Sequence, residues 1–322
     1  MIQYIIIILD DTSVSFCHYN NQKKNRHLIS IDILKAGILY AMKQNLSIQF
    51  IYPAYELPVE YTNLIDSVEH VDIKPASLCI NADVVVFNDI LQTTDFTFSK
   101  KSSYVLRIDR VGFFDHISEV CALLNNVERL NVILTDIESF VDYDFKKYSA
   151  ILQILSKEIE SIYATGKSVQ FNILTDRMML KSMNNCGAGS TSITLAPDGK
   201  FYVCPAFYLE SKEDHIGCLN VAVGDLQVGL NIKNNQLYKL DHAPLCRHCD
   251  AFQCKRCVWL NRKTTYEVNT PSHEQCVVAH LERNASRELM ETIRKHGDFL
   301  PEFESIKKIT YLDPFEARKE WE

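Results

Sequence analysis

Eight of the eleven cysteines lie in one stretch of the chain, from Cys186 to Cys276. Two C-x2-C pairs, Cys246–Cys249 and Cys254–Cys257, stand only four residues apart. Both sulfurs of such a pair can reach one metal while the backbone amides of the turn point at them, so this spacing indicates thiolate ligation. The number of cysteines is odd, and the sequence has no secretion signal. Both observations argue against a disulfide framework.

A structural zinc site is the simpler alternative. Zinc ribbons usually separate their two cysteine pairs by roughly a dozen or more residues, whereas four residues separate them here. A single zinc ion also leaves Cys186, Cys204 and Cys276 without a role. Seven cysteines fit two iron–sulfur clusters better than one zinc ion, and zinc stays the alternative.

The order of the cysteines resembles the SPASM domain, which follows the catalytic barrel in many radical SAM enzymes that modify peptides. Cys186, Gly199 and Cys204 match the first half of that pattern, C-x12-G-x4-C. The second half, C-x2-C-x4-C-x2-C and a distant Cys276, is one residue shorter in two spacers than the family pattern. Three stretches of the sequence resemble one subgroup, the CXXX repeat peptide maturases. They are Leu9–Tyr19, Cys254–Lys263 and Gln275–Asn284.

This resemblance implies a ligand set for two [4Fe-4S] clusters. The first would be held by Cys186, Cys204 and Cys257, and the second by Cys246, Cys249, Cys254 and Cys276. The first cluster then lacks a fourth protein ligand, and water, Cys218 or a substrate thiolate remains open for that position.

The resemblance implies a barrel in the N-terminal part of the chain. This part lacks the signature that radical SAM enzymes carry after their first strand. That signature is C-x3-C-x-φ-C, whose thiolates hold the cluster that binds S-adenosylmethionine (AdoMet). If Cys17 is the third cysteine, Val14 and Asp10 stand at the other two positions. The glycine-rich segment expected after the second strand is replaced by Tyr52–Glu56. We therefore predict that this barrel does not cleave AdoMet.

The elements that must position these residues show two hydrophobic patterns. Short apolar runs predict buried strands, at Tyr4–Leu9, Ser47–Tyr52, Asp83–Phe87, Tyr104–Ile108, Asn131–Leu134 and Ser168–Ile173. Helical stripes lie between most of them, around Ile33–Met42, Phe113–Leu124 and Phe145–Ile162, the last closed by Gly166. This alternation predicts an α/β fold with a parallel sheet or partial barrel, and the resemblance makes it a degenerate radical-SAM-like (β/α) barrel.

The pattern changes near Asn184, where cysteines and short segments replace the helical stripes. Residues 192–203 predict a hairpin around Asp198-Gly199, and a helical pattern resumes after Cys276. We therefore predict a barrel domain over 1–182, a cysteine-rich SPASM-like α+β domain over 183–296 and a charged extension over 297–322.

Other candidate residues carry weaker signals. Asp10 and Asp11 end a strand and could bind Mg²⁺, although such pairs more often cap a turn. Cys17–Tyr19 is either a packed loop or a remnant site used for substrate or partner contact. Four histidines flank the cysteines and could replace a thiolate: His242, His248, His273 and His280. His248 is expected to face solvent, and Trp259 to be a hydrophobic cover.

Composition excludes several classes of protein. The chain has 322 residues, 47% of them hydrophobic, which is enough apolar mass for a core. Its net charge of −7 argues against nucleic-acid binding. The sequence has neither an apolar run of about 20 residues nor a signal peptide, so we expect a cytoplasmic protein without a membrane partner.

The interpretation that joins these observations is maturation of a ribosomally synthesised, cysteine-rich (CXXX-repeat) peptide. The chain would act as an iron–sulfur SPASM protein beside a catalytically competent radical SAM partner. Two alternatives stay open: a stand-alone iron–sulfur redox enzyme acting on peptide thiols, and a non-catalytic, zinc-stabilised peptide-binding module.

Overall fold

The computed structural model describes residues 1–78, 82–210 and 221–314. Its internal contacts divide the chain into two compact units, each assembled from three separate stretches. The first unit comprises Met1–Val86, Gly187–Pro244 and Val258–Thr270, and the second comprises Phe87–Cys186, Leu245–Cys257 and Pro271–Glu322. The boundaries expected at 182 and 296 divide the sequence differently and stay a prediction.

The first unit is built on a largely parallel sheet. Its strands, numbered in chain order, are β1 (Tyr4–Ile8), β2 (Ser47–Ile51), β3 (His70–Pro75), β4 (Val84–Phe87, whose last residue belongs to the second unit), β8 (Ser192–Leu195) and β9 (Phe201–Tyr202). Their order is β4-β3-β2-β1-β8-β9, and only β8 and β9 pair antiparallel within it. A separate short hairpin joins β10 (Gly224–Asp225) to β11 (Gly229–Leu230).

The helices of this unit are α1 (Ile31–Lys43), α2 (Val59–Ile65), α7 (Ala206–Leu209) and α8 (Val258–Thr265), and α1 and α2 share a hydrophobic core with the sheet. Ser30 caps α1, because its side chain accepts the backbone N–H of Ile33. Gly37 brings α1 close to the sheet, since a Cβ at that position would collide with the side chain of Leu195. Central strand β1 is buried on both faces, as expected for a covered parallel sheet.

The second unit repeats the same layering. Its parallel strands β5 (Ser103–Ile108), β6 (Arg129–Leu134) and β7 (Gln170–Phe171) stand in the order β7-β6-β5. Its helices are α3 (Arg110–Asp115), α4 (Ile117–Leu124), α5 (Asp142–Ala164), α6 (Thr175–Met179) and α9 (His273–Ile293). Helices α5 and α9 pack along each other. The predicted α/β organisation with parallel strands is confirmed in both units, and the degenerate radical-SAM-like barrel stays a prediction.

The observed elements differ from the predicted ones at three places. Strand β3 was not predicted, because charged residues alternate with its apolar ones and only Ile73 and Pro75 are buried. The helix expected over Phe113–Leu124 is interrupted at His116, whose backbone is not helical. The strand expected over 168–173 keeps only two paired residues.

The hairpin after Asn184 forms as predicted, with β8 paired antiparallel to β9. Gly166 has a positive φ of 80° directly after α5, which fits the predicted helix end. The last long helix, however, begins at His273, so Cys276 lies in its first turn rather than before it.

No helix in the described ranges is long and apolar enough to cross a membrane.

Candidate metal centre

The two cysteine pairs lie on one loop of the second unit, and backbone amides point at their sulfurs. The N–H of Ala251 donates to Cys249 Sγ at 3.4 Å, and the N–H of Arg256 donates to Cys254 Sγ at the same distance. Arg256 adopts a positive φ of 46°, a left-handed conformation that is uncommon for a residue with a side chain. The loop thus has the amide-to-sulfur bonds expected for thiolate ligands.

Four cysteines line one cavity, which we call the thiol cavity. Cys246, Cys249 and Cys254 come from the loop, and Cys276 comes from the first turn of α9. The cavity is small, with a volume of about 30 Å³, and most of its other lining residues are apolar. Ser272 caps α9, because its Oγ accepts the N–H of Gln275, and this cap fixes the turn that presents Cys276.

Burial keeps these thiols protonated in the metal-free chain. It raises the pKa of Cys246 to about 11 and that of Cys254 to about 12. Burial also raises the pKa of Cys249 and Cys276, and nearby cysteines add to the effect at Cys276. A metal bound here must therefore displace protons, and its own charge would stabilise the thiolates.

A buried ion-pair network supports the loop from the side of α9. The Arg283 side chain is fully buried and makes two bonds to Asp250, Nε to Oδ1 at 2.9 Å and Nη2 to Oδ2 at 2.6 Å. Arg177 adds a third bond to Asp250 at 3.3 Å. Burial raises the pKa of Asp250, but the two guanidinium groups outweigh it and hold that pKa below its usual value. The excess positive charge lies beside Cys249, where it favours a thiolate.

A second buried carboxyl group lies next to the loop. Tyr148 donates to Glu282 Oε1 at 2.7 Å, and Gln253 donates to Glu282 Oε2 at 3.2 Å. Burial raises the pKa of Glu282 to about 7, although both hydrogen bonds lower it in part. This carboxyl therefore titrates near neutral pH.

These supporting residues were missed by the sequence reasoning. Arg283 lies seven residues after Cys276, so two turns of α9 place both on one helix face. That spacing was a usable signal. Asp250 and Glu282 carried none, because a charged residue in a loop or on a helix is usually solvated.

The other predicted ligand set is distributed between the units. Cys186 and Cys257 belong to the second unit, and the N–H of Cys186 donates to the carbonyl of Lys255 at 3.1 Å, beside the loop. Cys204 belongs to the first unit and follows β9. Cys218, the candidate fourth ligand, lies outside the described residues.

Among the described residues, no three histidine, cysteine, aspartate or glutamate side chains are close enough together to hold a single metal ion. A mononuclear zinc ion draws four sulfurs to about 2.3 Å from one point. A [4Fe-4S] cluster offers a separate iron to each thiolate, so its ligands surround a space. Four thiols that line one cavity fit such a cluster in donor chemistry.

Several residues of the loop after β1 are buried within the first unit. Asp10, the first of the three expected cysteine positions, is fully buried and accepts the hydroxyl of Tyr55 at 2.9 Å. Tyr55 belongs to the segment that stands in place of the glycine-rich one. Val14, the second position, is also buried, and Cys17 is half-buried. Asp11 accepts the Tyr208 hydroxyl at 2.5 Å.

The flanking histidines separate into two groups. His242 and His248 are exposed, as expected for His248. His273 is paired with Asp313 at 2.6 Å. His280 is buried, and its Nε2 lies 3.4 Å from Cys249 Sγ at the thiol cavity. Trp259 is buried, and its role as a hydrophobic cover over a cluster stays a prediction.

No protein-family model and no curated protein matches this chain. Solved structures do share its fold. Native anSMEcpe with bound AdoMet has a TM-score of 0.63 at 11% identity, covering 90% of this chain and 99% of that chain. Native anSMEcpe with bound AdoMet and Cp18Cys peptide has a TM-score of 0.61 at 13% identity, with the same coverage.

A weaker similarity is to Streptococcus suis SuiB bound to S-adenosylmethionine. Its TM-score is 0.44 at 12% identity, covering 85% of this chain and 77% of that chain. That score is too low to establish a shared fold. At these identities the similarity to anSMEcpe shows the fold alone.

Proposed function

We propose that this chain is an iron–sulfur protein of peptide maturation, and that its thiol cavity holds a [4Fe-4S] cluster. The observation that carries the proposal is the convergence of Cys246, Cys249, Cys254 and Cys276 on one cavity. Amide-to-sulfur bonds and the buried guanidinium groups around it are what a cluster with four thiolates needs for charge stabilisation. When bound, such a cluster supplies one-electron transfer.

A second cluster would use Cys186, Cys204 and Cys257, as the SPASM resemblance implies. The bond from Cys186 to Lys255 supports the pairing of the first of these cysteines with the loop. The fourth position is left to water, Cys218 or a substrate thiolate. An open iron suits a substrate rich in cysteine.

We further propose that the chain does not cleave AdoMet itself and acts beside a competent radical SAM partner. The support is the loop after β1. Asp10 stands where a thiolate is expected, and it is bonded to Tyr55 of the segment that stands in place of the glycine-rich one. Three thiolates are needed to leave one iron free for AdoMet, and this loop provides only Cys17.

The proposed substrate is a cysteine-rich peptide of the CXXX-repeat kind. The sequence resemblance suggests that class of peptide. The shared fold adds weaker support, because anSMEcpe binds a peptide, Cp18Cys, together with AdoMet. The chemical modification made to the peptide is left open by this proposal.

The decisive experiment is anaerobic purification of the full chain, followed by iron, sulfide and zinc analysis per chain and visible absorption spectroscopy. We expect about eight irons with matching sulfide for two [4Fe-4S] clusters, or about four if only the thiol cavity is loaded. Zinc without colour would overturn the iron–sulfur proposal and support a zinc-stabilised binding module.

A second experiment tests the partner. The loaded chain is incubated with a cysteine-repeat peptide, AdoMet and a reductant, with and without a radical SAM protein. Modification only with the radical SAM protein is the expected result. Modification by the chain alone would support a stand-alone redox enzyme instead.

A further inference from the structure

The C-terminal segment of the second unit returns along α9. Arg294, directly after that helix, holds the first part of the segment with one guanidinium group. It donates to the carbonyls of Phe299 at 3.1 Å, Leu300 at 2.9 Å and Phe303 at 2.7 Å, and to the Ser305 hydroxyl at 3.1 Å. Ile306 is buried. The segment is thus a packed part of this unit as far as the structure describes it.

The last described residues, Tyr311–Pro314, form what we call the C-terminal strap. Asp313 pairs with His273 Nδ1 at 2.6 Å at the start of α9. The carbonyl of Leu312 bonds to Nδ1 of His280, two turns further along. The ring of Tyr311 packs edge-on against that of His280, with centroids 5.6 Å apart. Two histidines on one helix therefore hold the strap.

The strap reaches the thiol cavity in two ways. Pro314 is one of the residues that line the cavity. His280 also lines it, and its Nε2 lies 3.4 Å from Cys249 Sγ. One histidine ring thus contacts the strap with one nitrogen and a predicted ligand with the other.

The two ring contacts fix the tautomer of His280. A carbonyl oxygen can only accept, so Nδ1 carries the proton that bonds to Leu312. Nε2 then accepts from the Cys249 thiol in the metal-free chain. The strap therefore sets the orientation of the imidazole, and the imidazole sets the position of the Cys249 sulfur.

We propose that the C-terminal strap covers the thiol cavity and that His280 is a positioning residue for Cys249. The covering role rests on geometry that is present without metal. The role toward a cluster rests on the proposed function. No charge or sequence signal in the extension over 297–322 pointed to this contact.

The first experiment tests the cover in the metal-free chain. Three chains are compared: the full chain, a chain ending at Pro314 and a chain ending at Thr310. Alkylation of each cysteine by iodoacetamide is followed by mass spectrometry. We expect Cys249 and Cys276 to react about tenfold faster in the chain ending at Thr310, because the strap no longer limits access.

The chain ending at Pro314 is the matched control, since it keeps the strap and should react like the full chain. Cys121, half-buried on α4 and away from the cavity lining, is the internal control. Its rate should be the same in all three chains, which shows that shortening has not unfolded the unit. Equal rates at Cys249 and Cys276 in all three chains would overturn the proposed cover.

The second experiment tests the positioning role in the iron-loaded chain. His280→Phe keeps a ring but removes the Nδ1 hydrogen bond to Leu312 that orients it and the contact of Nε2 with Cys249 Sγ, and His280→Gln restores a polar group near the position of Nε2. We expect the phenylalanine variant to bleach several-fold faster in air and to shift the reduction potential, with partial rescue by glutamine. His296→Phe, which breaks only an exposed pair with Glu160, is the control and should match the parent.

The outcomes separate this inference from the proposed function. If the purified chain holds no iron but the strap protects the thiols, the cover stands and the cluster fails. If iron is present and His280→Phe leaves bleaching and potential unchanged, the positioning role is wrong and the cluster stands.

Discussion

The loop after β1 and the thiol cavity differ in how many of the expected cysteines they contain. Each is a place where the family resemblance expects cysteines around an iron–sulfur cluster. In the first unit Asp10 is fully buried and accepts the hydroxyl of Tyr55. In the second unit Cys246 and Cys276, with two further cysteines, line a small cavity of about 30 Å³.

The difference lies in the polar and charged groups that surround each place. Replacing a cysteine by aspartate at a buried position requires a hydrogen-bond donor, because an unpaired buried carboxylate is costly. Tyr55 and the backbone of Thr12 provide such donors, at 2.9 and 2.8 Å. At the thiol cavity, the nearby charged groups act on cysteine thiols instead of on a carboxylate. The guanidinium groups of Arg283 and Arg177 lower the pKa of Cys249 and so favour its thiolate, whereas the neighbouring Asp250 raises that pKa.

The largest expected effect is the loss of iron from the thiol cavity. Cys254→Ala removes one of the four predicted ligands of the cavity. It also removes the sulfur that accepts a hydrogen bond from the backbone N–H of Arg256. We expect about four irons per chain to be lost, measured by iron and sulfide analysis after anaerobic purification. Cys17→Ala is the matched control and should lose none. Equal iron in both variants would remove the contrast between the two regions.

The next effect concerns the framework of the cavity. Arg283→Met removes a fully buried charge whose partner, Asp250, then remains partly buried without its main bond. We expect the free energy of unfolding to fall by about 3 kcal/mol, measured by urea denaturation. Arg287→Met, on the same helix, breaks only bonds to the exposed Glu288 and Glu291 and should cost less than about 1 kcal/mol. Similar losses in both variants would mean that the buried pair does not support the loop.

A pH-dependent effect follows from Glu282. Its pKa is about 7 in the folded chain and 4.5 in the reference state, so the folded state binds more protons between these values. Stability therefore falls as pH rises from about 4.5 to about 7, by up to about 3 kcal/mol. Glu282→Gln should abolish this decline and be the more stable chain above pH 7, as measured by unfolding at several pH values. Glu288→Gln, at an exposed site of α9, should keep the decline.

Much of the fold could be predicted because buried strands carry a strong local signal. Tyr4–Leu9 and the stripe of α5 were found from apolar pattern alone. Strand β3 was not, since His70, Asp72 and Lys74 lie on it and their burial is only partial. The break at His116 was also missed, because the apolar stripe continues on both sides of it.

The candidate site divides in the same way. The spacing of the cysteines from Cys246 to Cys257 indicates that they share a loop. It also predicts the hydrogen bonds from backbone N–H groups to their sulfurs. Spacing cannot show that Cys276 faces the same cavity from another element, which the resemblance implied and the structure brings together. Asp250 and His280 depend on tertiary contacts, so no local pattern distinguishes them from solvated neighbours.

The smallest expected effect is the most demanding test of the comparison. Asp10→Cys combined with Val14→Cys restores the spacing C-x3-C-x2-C with Cys17 in the loop after β1. If the loop is closed by packing and not only by the absence of sulfur, iron per chain should not rise. Tyr55 and the packed side chains still occupy the space that a cluster would need.

The same double substitution in a Cys17→Ala chain is the control, because it cannot provide three thiolates. Both variants are checked for folding by their urea denaturation midpoints. A gain of about four irons only in the chain with three cysteines, accompanied by AdoMet cleavage, would contradict closure by packing. The first unit would then be a barrel that lost its cluster by two substitutions while keeping the room for it. Unchanged iron in both would show that the loop was rebuilt around Asp10, so that this region, unlike the thiol cavity, no longer has a place for a cluster.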